Sequence, residues 1–129
     1  MIYEVENLPK KLKFELLDSA VLFAADFLEL DVDFILEFES LKPHQCGFLD
    51  YDEDEVMITI AKRLSVHEMI STLFHEMVHV KQYTEGRLKQ VGVWLGKKYE
   101  CAYDQLPWEQ EAFEIEQVMI KQFGELNVY

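Results

Sequence analysis

The sequence predicts an α+β fold, and three observations carry that expectation. Apolar residues recur at three- and four-residue spacing near the N-terminus, and they alternate with acids over a short central run. Two further helical segments with clear start signals then fill the second half. At 129 residues, with no repeat or low-complexity linker, the chain is expected to form one domain spanning 1–129.

Asn7 offers a cap, with Pro9 in the first turn, for a helix over 8–30 whose stripe is Leu12, Leu16, Ala20, Phe23, Phe27 and Leu30. In "DVDFILEFES" the period changes: Phe34, Leu36 and Phe38 alternate with Asp33, Ile35, Glu37 and Glu39, which predicts a strand. Pro43 breaks the chain, and "CGFLDY" and "EVMITIA" predict two more strands around an acidic turn. The expected sheet is thus small, three-stranded and mostly antiparallel. Asp50, Asp52 and Asp54 occupy the first, third and fifth places of a calcium loop. Glu55 stands where that loop needs Gly, however, and Ala61 where it needs Glu, so a solvated hairpin turn is expected.

Ser65 followed by Glu68 is a capping box, starting a helix that runs to about Thr84 with Gly86 as its stop. "VGVWLGKKYECAY" predicts an extended or hairpin segment punctuated by Gly92 and Gly96. Pro107 opens a last helix, with Gly124 near its end.

Composition narrows the function. Half of the chain is hydrophobic and 13% aromatic, which is globular, and the formal net charge is -13. That charge opposes binding to nucleic-acid phosphates or to anionic membranes, and leaves a nucleic-acid mimic as the one nucleic-acid role it favours. The N-terminus lacks the pattern of a signal peptide, and the apolar stretches carry acids at short intervals, so a cytoplasmic protein is expected. Cys46 and Cys101 are far apart and form no CxxC, which reads as two reduced thiols.

The chemistry concentrates in "TLFHEMVHVKQY". His75 and His79 are four apart on a helix, so both imidazoles project from one face and can reach one ion. Glu76 sits about a hundred degrees round from His75, beside such an ion, where it can take a proton from water. Zinc suits imidazole and carboxylate donors with an open fourth position. A third protein ligand is needed. His67 is eight residues before His75 and too far along the axis, and His44 lies in a Pro-containing loop. "LPWEQEAF" supplies Glu109 and Glu111. Glu109 shares a face with the small Ala112, which would let the two helices approach, so Glu109 is the expected ligand and Glu111 the alternative. Glu114 and Glu116 are expected on a solvated face.

HExxH on one helix with a downstream Glu in an ExxA context resembles the gluzincin-type zinc metallopeptidases. Small single-domain members are nearest, including the ImmA/IrrE-like peptidases and short proteases of phages and bacteria. The resemblance covers His75 to His79 and Glu109 to Ala112. It implies a minimal zincin-like fold, with His75, His79 and Glu109 as metal ligands and Glu76 as general base. Phe113 departs from the Asn that usually follows Ala in the ImmA pattern. SprT-like proteases are a second resemblance, but the third His and the basic or ribbon-bearing surface are missing here.

The expected reaction is hydrolysis of a peptide or protein substrate, with Tyr83, Tyr99 and Tyr103 as candidate oxyanion donors and Tyr83 and Tyr103 taken forward. If "VMITI" is an edge strand, it could align an extended peptide. Trp94, Trp108, Met69, Met77, Phe23 and Phe27 are expected in the core, with Trp108 also bracing Glu109. Two other readings compete. One is a metal-binding interaction domain without catalysis; the other is an acidic interaction protein in which HExxH is incidental.

Overall fold

The computed structural model describes residues 1–89 and 92–126. Four strands form one mixed sheet: β1 (Tyr3–Glu6), β2 (Phe34–Glu39), β3 (Gly47–Tyr51) and β4 (Val56–Ala61), in the order β1-β2-β4-β3. β1 pairs with β2 and β2 with β4 in parallel, while β3 pairs antiparallel with β4. The α+β class stands, but the expected three-stranded, mostly antiparallel sheet does not. The missing strand is β1. Its four residues, "YEVE", are too short to display a period. Helix α1 (Phe14–Leu28) crosses back from β1 to β2, which makes that pair parallel.

The first helix is also shorter than expected. Asn7 has a φ of 59° and turns the chain out of β1, and the Leu12 N–H closes a turn on the Pro9 carbonyl. Lys13 is the N-cap. The buried stripe is Leu17, Ala20, Val21, Ala24 and Leu28, with Phe23 and Phe27 half-buried beside it. Glu29, at a φ of 54°, ends the helix. The Lys81 Nζ donates to the Leu28 carbonyl at 2.8 Å, filling an orphan acceptor from a neighbouring helix.

β2 buries Phe34, Leu36 and Phe38, as the alternation requires. In the β3–β4 turn, Asp52 and Glu55 exchange backbone hydrogen bonds and the Asp52 carboxylate accepts from the Asp54 N–H, as a solvated hairpin turn should. Helix α2 (Val66–Thr84) starts on the Ser65–Glu68 capping box and stops before Gly86, whose φ is 73°. It packs across β3 and β4 and against both α1 and α3 (Pro107–Leu126), which also touch each other. Phe23, Phe74 and Phe123 join the three helices, their ring centroids 5.4–5.6 Å apart.

Between α2 and α3 a small hairpin, β5 (Val93–Trp94) and β6 (Lys97–Lys98), turns through Leu95 and Gly96 at φ of 50° and 82°. Those angles suit a type I′ turn. Val91, the first residue of the expected extended segment, lies outside the described residues. The hairpin buries Leu88 and Trp94 against Trp108, forming a second apolar cluster. No helix among the described residues is long and apolar enough to cross a membrane.

Candidate metal site

Helix α2 carries His75, Glu76 and His79 on the side that meets α3 and the end of the sheet, and all three are buried at 6–7% exposure. Pro107 starts α3 so that its first turn lays Trp108 and Glu109 against α2. Ala112, fully buried one turn on, allows that approach. The Glu109 Oε1 lies 2.8 Å from His75 Nε2 and 3.0 Å from His79 Nε2. One donor atom from each residue falls within 4.8 Å of the others, the one such group among the described residues. Metal–ligand bonds of about 2.0–2.2 Å let a single ion reach all three, so the donor set fits a metal.

The far sides of the two rings decide which nitrogens face this point. His75 Nδ1 donates to the Glu116 Oε1 at 2.8 Å, and Ser71 Oγ donates to the other oxygen of that carboxylate at 2.6 Å. His79 Nδ1 donates to the Gln82 side-chain carbonyl at 2.7 Å. With both Nδ1 atoms protonated, neutral rings would aim two lone pairs at an anion. A positive charge must therefore sit among the Nε2 atoms and Glu109, either as protons or as a metal ion.

The ionisation equilibria show the same demand. Burial opposes the charge on His75, but hydrogen bonds to Glu109 and Glu116 outweigh it and raise the ring to about 9. His79 is likewise raised against its burial, by Glu109 and Glu76. Burial alone would raise Glu109; the two histidines instead hold its carboxyl down at about 2. Glu76 is pushed up by burial, only partly offset by His79 and His75. It makes no hydrogen bond to another side chain among the described residues, and it opens on a cleft of about 990 Å³.

That cleft runs along α2. Gly47, Phe48 and Leu49 of β3 line one wall, and Tyr103, Trp108 and Phe113 line the other. β3 is the sheet edge at the cleft; β4, which carries "VMITI", lies between β2 and β3 and is not an edge. Tyr103, from a short 3-10 turn over Tyr103–Gln105, is 58% exposed and packs edge-on to Phe113 at 6.4 Å. Phe113 in turn covers His75 at 4.7 Å. Partial burial, with the Glu109, Glu76 and Glu116 carboxylates close by, pushes the Tyr103 phenol up, so it remains a donor. Tyr83 also lines the cleft, one turn past His79, with its ring stacked on Tyr51 at 4.6 Å. Tyr99 packs against Trp108 instead. His44 lines the cleft but is outside the metal group.

Glu111 turns away to Arg87, whose Nη1 donates to its two oxygens at 2.6 and 2.8 Å. Glu114 is exposed as expected. Glu116 is not: its side chain is only 12% exposed. Glu116 stands two turns after Glu109 and therefore on the same helical face, Ser71 one turn before His75, and Gln82 three residues past His79. Those spacings were the signal available for all three. A comparison with protein-family models, curated proteins and solved structures finds no match.

Proposed function

We propose that this protein is a zinc-dependent peptidase that cleaves extended peptide segments. The observation that supports it most is the free Glu76 carboxylate beside the His75, His79 and Glu109 donors, in a cleft walled by a sheet edge. A site built only to hold a metal has no use for that fourth group. His75, His79 and Glu109 would hold the ion, which when bound supplies Lewis acidity and lowers the pKa of water toward about 7.

The chain's own residues supply the rest. The free edge of β3 offers backbone groups to an extended peptide, which would add as a further strand along α2. Glu76 accepts a proton from the attacking water and returns it to the leaving nitrogen, a role suited to a carboxyl raised by burial. Tyr103 donates from the opposite wall to the developing oxyanion, with Tyr83 as the second candidate. Phe48, Phe113 and Tyr103 are exposed large apolar residues that all line this cleft, so peptides with large apolar side chains near the scissile bond fit it best.

The test is elemental analysis of protein purified without chelator or metal-affinity resin, beside peptide cleavage by wild type and Glu76→Gln. Near one zinc per chain in both, with cleavage reduced about 10²–10⁴-fold in the variant, is the expected result. Cleavage unaffected by Glu76→Gln, or wild type that takes no zinc when it is offered, overturns the reading.

A further inference from the structure

Gln82 is fully buried, and all of its amide is used. Its Nε2 donates to the Trp108 carbonyl at 3.0 Å and to the Glu111 Oε1 at 3.2 Å, while its Oε1 accepts from His79 Nδ1 at 2.7 Å. Both partners of the nitrogen are acceptors only. Rotating the amide by half a turn would set its oxygen against a carbonyl and a carboxylate, and its N–H₂ against a ring N–H. In a buried position those mismatches are costly, so the orientation is unique.

The anchor continues outward. Glu111 is fixed by two hydrogen bonds from Arg87, which also donates to Glu85 from Nη2 at 2.8 Å and lies over the Trp94 ring at 5.0 Å. Arg87 and Trp94 belong to the segment that packs on Trp108. A continuous polar chain thus runs from that segment to one imidazole: Arg87, Glu111, Gln82, His79.

We propose that Gln82, locked by Glu111 and Arg87, is the positioning residue for His79: it holds the ring as the Nδ1–H tautomer, so that Nε2 is the atom presented to the ion. This rests on the triad being a metal site. It gives Glu111 a part in the site at one remove, since it orients the residue that orients a ligand. It also separates the two histidines. His75 is backed by a carboxylate, which orients the ring and raises its basicity; His79 is backed by a neutral amide, which orients it alone.

Zinc affinity would be measured by competition with a chromogenic chelator for wild type, Gln82→Met and Gln82→Glu, and the ring nitrogens of zinc-loaded protein followed by 15N–1H correlation. Met fills the volume without an acceptor and should weaken zinc binding about 10–100-fold. Glu keeps an oxygen against Nδ1 and, taken up as the neutral acid so that its other oxygen donates to the Trp108 carbonyl or to Glu111, should lose less zinc affinity than Met. In the Met variant the His79 Nδ1 proton should be lost to solvent exchange while that of His75 persists; a general loosening would affect both. Wild-type zinc affinity in Gln82→Met, or equal loss of both ring protons, overturns the proposal. Should the Met variant fail to fold, the wild-type spectrum decides: Nδ1–H with Nε2 on zinc is expected for His79, and the opposite tautomer overturns it. Wild type that binds no zinc removes the metal-site reading itself, whereas zinc binding with an indifferent Gln82 removes only this inference.

Discussion

One carboxylate oxygen facing two imidazole nitrogens makes Glu109 the residue whose replacement separates a metal site from an ordinary buried ion pair. Glu109→Ala should abolish stoichiometric zinc. Glu111→Ala, which loses only the Arg87 pair and one Gln82 contact, should still load near one ion per chain, with weaker affinity. Equal loss in both, by elemental analysis, would mean that α3 was simply undocked. Glu116→Gln offers a finer comparison. It keeps an oxygen acceptor for His75 Nδ1 and turns its N–H₂ toward Ser71 Oγ, which then accepts, but removes the charge, so zinc affinity should fall by about tenfold with the fold intact. An affinity equal to wild type in the chelator competition would show that the Glu116 charge is not felt at the ring.

Among the elements, the edge strand depends on a residue chosen for its lack of a side chain. A Cβ on Gly47 would come within 2.6 Å of the Thr59 carbonyl and 2.7 Å of Thr72 Cγ2, so α2 can lie this close to β3 only over glycine. Gly47→Ala should destabilise the fold by about 1–3 kcal/mol, read from urea unfolding, because one of the clashing atoms is backbone and cannot turn aside. Peptide cleavage should fall further than stability explains, since the strand forced to move is the one proposed to align the substrate; unchanged turnover would remove β3 from that role. The elements differ in how far they could be read. Helix α2 declared itself through Ser65, Glu68, its spacing and Gly86, and the triad followed because helical geometry fixes which residues share a face. β2, β3 and β4 showed in alternation and turn chemistry, but their pairing did not. Parallel pairing depends on where α1 returns the chain, a long-range fact that four residues of β1 cannot signal. Asn7 reads as a cap from sequence because Asn favours both caps and left-handed turns, and only the preceding strand decides between them.

For the whole molecule, the charge that must sit between the Nε2 atoms couples stability, pH and metal. In chelated protein that charge is protons. His75 is raised from 6.5 to about 9, so its contribution to stability is complete below pH 6.5 and is lost as pH rises through 9. His79 and Glu76 are raised as well, and their contributions run in the same direction. Glu109 is lowered from 4.5 to about 2, so its contribution is complete above pH 4.5 and is lost as pH falls through 2. The imidazoles and Glu109 therefore support the chelated fold best between about pH 4.5 and 6.5, with the buried Glu76 favouring the lower end of that range, and support declines toward pH 9. Zinc must displace the same protons, so its affinity rises over that upper range. At a free concentration a hundred times its dissociation constant it adds about 2.7 kcal/mol to stability. Thermal melts with and without zinc should then diverge: the chelated protein loses Tm from pH 6 to 9, while the increment from zinc grows. An increment that is flat or shrinks with pH would mean that zinc binds without displacing the imidazole protons, and thus somewhere other than His75 and His79.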